Sequence, residues 1–104
     1  MTAIIFASPA GTGKTTYGKL LAEHLGCKSV VEAEEIRNMS DMVKKHKLHR
    51  ALILCHDPSE VPNDPYIRAR RTLQREEMNA AMTAVGGAKI WNKNGTVNSF
   101  RGGQ

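Results

Sequence analysis

Two stretches of the chain are apolar without a break: Ala3-Ile4-Ile5-Phe6-Ala7 and Ala51-Leu52-Ile53-Leu54-Cys55. Such runs, with no polar alternation, predict strands buried on both faces, as in the middle of a parallel sheet. Between them the spacing changes. Tyr17, Leu21 and Leu25 recur every four residues with Leu20 beside them, which predicts an amphipathic helix, and Gly26 follows as its C-cap. Val30-Val31 predicts a short strand within 28–33, and Ile36, Met39 and Val43 share one face of a helix over 35–47. After the second apolar run, His56-Asp57-Pro58 opens proline punctuation that lasts to Pro65. One long helix is then expected over 65–85. Its first half is Arg-rich and polar and should project from the core; its second half carries Met78, Ala81, Met82 and Val85 on one face. Gly86-Gly87 ends it, 88–91 predicts a last strand, and Asn94-Gly95 predicts a hairpin-type turn into 96–100.

Strands alternating with helices predict an α/β fold: a small three-layer sandwich around a mostly parallel sheet of four to five strands, joined by right-handed crossovers. At 104 residues the chain has room for one domain, expected over 1–91, with 92–104 as a hairpin or flexible C-terminal tail. The aliphatic core is small, and dimerisation would compensate for it.

The first apolar run leads into SPAGTGKTT, formed by Ser8, Pro9, Ala10, Gly11, Thr12, Gly13, Lys14, Thr15 and Thr16. Gly-Lys-Thr after a strand and before a helix is the second half of a phosphate-cradling loop, with Ser8 where the first glycine is usual. Gly11 and Gly13 allow the backbone to turn its N–H groups inward, and the free N–H groups of the following helix favour an anion. Lys14 would reach the β- and γ-phosphates, Thr15 would offer its hydroxyl to Mg²⁺, and Thr16 would bond nearer the α-phosphate.

On this motif and its context the chain resembles a P-loop NTPase, most strongly over 2–26. The resemblance implies bound ATP, or GTP, with Mg²⁺. In the kinase-like branch of that superfamily the third strand lies beside the loop-bearing strand, so the implied sheet order is 2-3-1-4, with Ser8, Glu32 and Asp57 at the carboxyl ends of strands.

Three further groups extend that resemblance. Asp57, at the tip of an apolar strand, resembles a Walker B carboxylate that holds Mg²⁺ directly or through water; an Asp before Pro58 equally suits a turn. Hydrolytic ATPases of the superfamily often place Glu directly after that Asp, where this chain has Pro58. His56 beside it could approach the metal or the γ-phosphate. Glu32 and Glu34, after the second strand, occupy the place where metabolite and nucleoside kinases bind a substrate hydroxyl and draw its proton; an acidic first helical turn is the plain alternative. Arg68, Arg71 and Arg75 would share one face of the long helix, like the lid arginines of P-loop kinases. The same face would suit a nucleic-acid backbone, and neighbouring Glu76 and Glu77 would suit exposed ion pairs.

The formal charge of +5 favours polyanionic partners: nucleotide, phosphorylated small molecule or nucleic acid. Cys27 and Cys55 lack metal-ligand spacing and read as reduced thiols of a cytoplasmic protein. The N-terminus has no charged leader, and no apolar run reaches membrane-spanning length. The expectation is a Mg-nucleotide-binding protein: a small kinase-like phosphotransferase or weak ATPase, or else a slowly hydrolysing or non-catalytic module that acts through a protein or nucleic-acid partner. Nothing in the sequence names the phosphoryl acceptor or the oligomeric state.

Overall fold

A computed structural model of the chain describes residues 3–9, 14–67 and 69–97. Both continuous apolar runs are strands, β1 (Ala3–Ala7) and β3 (Ala51–Cys55), paired in parallel from Ile4–Leu52 to Ala7–Cys55. All five residues of β3 are buried, which explains its unbroken apolar pattern. β2 (Ser29–Glu32) flanks β3 and β4 (Arg70–Thr72) flanks β1, both in parallel, so the sheet is all-parallel in the order 2-3-1-4.

Helices cover both faces. Phe6, Leu52 and Leu54 point to the layer formed by α1 (Lys14–His24) and α4 (Arg75–Ala84), where they meet Leu21, Ala22, Met78 and Met82. Ile5, Val31 and Ile53 point the other way, toward Ala33 and Ile36 of α2 (Ala33–Ile36) and toward Leu48, next after α3 (Asp41–Lys47). Alternate residues of one strand thus supply two cores. α1 lies close on the sheet because Gly18 has no side chain: a Cβ there would come within 3.3 Å of Val30 Cγ1 and 3.4 Å of Leu54 Cδ1. The expected caps Gly26 and Gly86 follow α1 and α4 with φ of +76° and +93°, the left-handed backbone that glycine adopts without a Cβ clash.

Three elements differ from the sequence pattern. The helix expected over 35–47 is two helices. Ser40 interrupts it, its Oγ accepting the Val43 N–H at 3.3 Å as the N-cap of α3.

The helix expected over 65–85 begins only at Arg75. Ahead of it, Pro65–Ile67 is a single 3₁₀ turn and Arg70–Thr72 is β4. Here tertiary pairing overrides local pattern: β1 would otherwise have an open edge, and the Ala3 N–H donates to Ala69 O (2.9 Å) while Leu73 N–H donates to Ile5 O (3.1 Å). Buried Ile67 and Leu73 anchor the segment at both ends, and the exposed Arg70 and Arg71 guard the outer edge against further strand pairing.

The strand expected over 88–91 is not formed. The Asn79 side chain captures the backbone there instead, its Oδ1 accepting the Ile90 and Trp91 N–H groups at 2.7 and 2.9 Å and its Nδ2 donating to Trp91 O at 2.9 Å. A single antiparallel bridge, Trp91–Val97, spans the turn at Gly95. The order 2-3-1-4 therefore stands with a different fourth strand from the one the pattern suggested. Residues 98–100 of the expected final segment lie outside the described residues.

Candidate functional site

In a parallel sheet all strands finish at one edge. Between β1 and β3 the chain departs in opposite directions: after β1 it runs to α1 on one face, and after β3 it runs to Val61 and Ile67 on the other. Adjacent strands whose connections diverge leave a crevice at their carboxyl ends, the usual ligand position in open α/β sheets. The Ser8 N–H donates to Cys55 O at 3.0 Å, extending the β1–β3 ladder past the strand ends, and Ser8 itself is fully buried. Both strands therefore release their loops at one point.

Beside that point lies a cleft of about 280 Å³, walled by Ala7, Pro9, His56, Gln74, Arg75 and Trp91 among others. It brings together the chain after β1, after β3 and after β4. Of the residues expected to cradle phosphate, Ser8 and Pro9 are at the end of β1, Lys14 and Thr15 open α1, and Thr16 is exposed in its first turn. Ala10, Gly11, Thr12 and Gly13 lie outside the described residues, as does Arg68.

Asp57 stands two residues beyond β3 and is exposed. Its Oδ1 accepts the Ser59 N–H at 2.9 Å, capping the 3₁₀ turn Pro58–Glu60. That backbone bond, with a second bond from the Ser59 hydroxyl, holds the Asp57 carboxyl below its ordinary pKa, so it is an anion at neutral pH. Glu60 completes the box: its Oε1 accepts the Asp57 and His56 N–H groups at 2.8 and 2.5 Å, and these bonds lower its pKa in the same way. The Glu60 carboxylate also lies 3.9 Å from His56 Nδ1. The turn that an Asp-Pro pair suggests is thus formed, and it presents a fixed negative charge at the carboxyl edge.

Glu32 ends β2 and is the N-cap of α2, its side chain bonded to the Glu35 N–H while Glu35 Oε1 accepts the Glu32 N–H at 3.1 Å. Glu34 is exposed in the first turn of α2. Glu32 thus caps, and Glu34 lies in, the acidic first turn of a helix.

The arginines do not form one helical face. Arg71 lies in β4, with its guanidinium paired to Glu77 of α4. Arg75 is the first residue of α4, and its guanidinium carbon sits over the Trp91 ring, 5.4 Å from the centroid. Of the two, Arg75 faces the cleft. No group of three or more His, Cys, Asp or Glu among the described residues could hold a metal by itself, and none of the described helices is long and apolar enough to cross a membrane.

Sequence reasoning missed Gln74 and Asn79, and it read Glu77 only as an ion-pair partner, which it is to Arg71. Gln74 and Glu77 form the capping box of α4, with Gln74 N–H donating to Glu77 Oε1 at 3.0 Å. The spacing Gln-x-x-Glu signals it only once the long helix is abandoned, because Gln is not a favoured N-cap. Asn79 carries no local signal at all, since its partners lie 11 and 12 residues away.

No family model, curated protein or solved structure matches the chain.

Proposed function

We propose that the chain binds a Mg-nucleotide, ATP before GTP, at the carboxyl edge of the sheet and acts as a small kinase-like phosphotransferase or weak ATPase. One observation carries this reading: β1 ends at the crevice beside β3 in an all-parallel sheet of order 2-3-1-4, and the sequence that leads from it into α1 carries Gly-Lys-Thr. Motif and topology are independent features of the chain, and both favour phosphate at the same place.

In this reading the N–H groups of 8–14 and the first turn of α1 bind the phosphates, and Lys14 adds a point charge. Thr15 and Asp57 hold Mg²⁺. The donor chemistry fits a hard cation, because Asp57 is an exposed carboxylate kept ionised by Ser59. Bound Mg²⁺ supplies charge neutralisation at the phosphoryl oxygens. Of the candidate arginines among the described residues, Arg75 is the one that lines the cleft and could meet a phosphate, while Arg71 holds β4 to α4 through Glu77. Of the two carboxylates after β2, Glu32 would take a hydroxyl acceptor's proton only by leaving or sharing its capping role, whereas Glu34 is exposed in the first turn of α2. Pro58 occupies the position where strong ATPases carry a water-orienting carboxylate, which favours slow hydrolysis.

The test is thermal unfolding with Mg-ATP, Mg-GTP or neither, with ADP and phosphate measured on the same samples. A nucleotide-dependent rise in Tm with slow ADP release is expected. No rise with either nucleotide at millimolar concentration would defeat the reading.

A further inference from the structure

A second cavity, of about 380 Å³, lies between α4 and the turn over 91–95. It shares Arg75 and Trp91 with the cleft at the carboxyl edge, so the two run together past one pair of side chains. We propose that this groove binds single-stranded nucleic acid, with its phosphates on Lys89, Lys93 and Arg75 and a base on the outer face of the Arg75 guanidinium.

Charge is the first argument. Among the described residues the groove carries three cations, Arg75, Lys89 and Lys93, against one carboxylate, Glu76. That imbalance selects a polyanion.

The second is the stacking surface. Trp91 is 8 % exposed, so its ring is covered and the guanidinium above it is what a ligand meets. A planar cation backed by an indole is a platform for any base, and bases reach it only when unpaired.

The third is rigidity. The far wall is fixed by backbone: Asn92 N–H donates to Thr96 O at 2.8 Å and Gly95 N–H to Asn92 O at 3.0 Å. Gly95 lies against the arginine, since a Cβ there would be 3.8 Å from Arg75 Nη1. The amides are committed internally, Asn79 to the 90–91 backbone and Asn92 Nδ2 to Thr96 Oγ1 at 2.8 Å. Contacts by charge and stacking give sequence-independent binding.

This inference does not need the nucleotide loop, and the variant Lys14→Ala should bind nucleic acid as the wild type does. The experiment is fluorescence anisotropy of a labelled oligothymidylate with the full chain at several salt concentrations, without nucleotide. Lys93→Glu and Lys89→Glu should each weaken binding by roughly tenfold and reduce the salt slope by about 1. Lys45→Glu, the same charge change on α3 at the opposite face, should have little effect. Trp91 is the chain's single tryptophan, so its emission should change on binding. Absence of binding at low salt would overturn the proposal. So would equal losses for Lys45→Glu and Lys93→Glu, which would mean net charge alone. Duplex DNA binding as tightly, or polyglutamate displacing the oligonucleotide equally well, would also overturn it, the latter pointing to an acidic protein partner.

Discussion

The Ser8 N–H bonds to the Cys55 carbonyl, joining the residue after β1 to the last residue of β3. This contact sets where the loop over 8–14 and the Asp57 turn begin. Ser8 is fully buried and Asp57 exposed, so the end of β1 is anchored while the turn after β3 reaches solvent. A nucleotide bound there, as proposed, would lie beside the Asp57 carboxylate.

The double role of Asp57 separates with two substitutions. Asp57→Asn retains an oxygen to accept the Ser59 N–H but removes the charge; Asp57→Ala removes both. Asn should preserve Tm while weakening Mg-dependent nucleotide binding by roughly tenfold, the scale of one charge-assisted contact. Ala should lower both. Calorimetric titration in Mg²⁺ and thermal melts check this pair, and equal Mg-nucleotide affinity in wild type and Asn would exclude Asp57 from the metal site.

Asn79→Ala should cost about 2 kcal/mol, because it strands two backbone N–H groups and a carbonyl in a half-buried setting. For a chain of this size that is a drop in Tm of roughly 10 °C. Trp91 emission should shift to the red as its segment loosens. An unchanged Tm would mean that water replaces the amide.

Lys44 and Asp64 form an ion pair at 2.6 Å that ties α3 to the connection before β4. The bond to Lys44 holds the Asp64 carboxyl below its ordinary pKa, and the bond to Asp64 raises Lys44. The Asp64 contribution is present above its unfolded value and is lost as pH falls through its lower folded value. The Lys44 contribution is present below its unfolded value and is lost as pH rises through its higher folded value. The stability gap between wild type and Asp64→Asn should therefore be flat across neutral pH and narrow at both acid and alkaline extremes. Urea melts across the pH range measure it, and a gap independent of pH would contradict the pair's role.

The legible parts of the fold were those where one physical demand dominates. β1 and β3 are unbroken apolar runs because both faces are covered, and Gly26 and Gly86 end helices because only they accept positive φ cheaply. Arg70–Thr72 was illegible because its strand character comes from the open edge of β1, with all three side chains exposed and no apolar signature. The 88–91 segment misled for the converse reason: Ile90 and Trp91 are buried, but an asparagine from α4 takes their backbone groups. At the site, the position of Asp57 just beyond β3 followed from local sequence. The Arg75–Trp91 contact did not, because it depends on where α4 starts.

Isothermal titration of Mg-ATP and Mg-GTP into wild type and Lys14→Ala tests the central claim most directly. The account predicts one saturable site in the wild type, with affinity lost or reduced at least tenfold by Lys14→Ala while Tm without nucleotide stays within a few degrees. Equal binding by both proteins, or heat from neither, would contradict it.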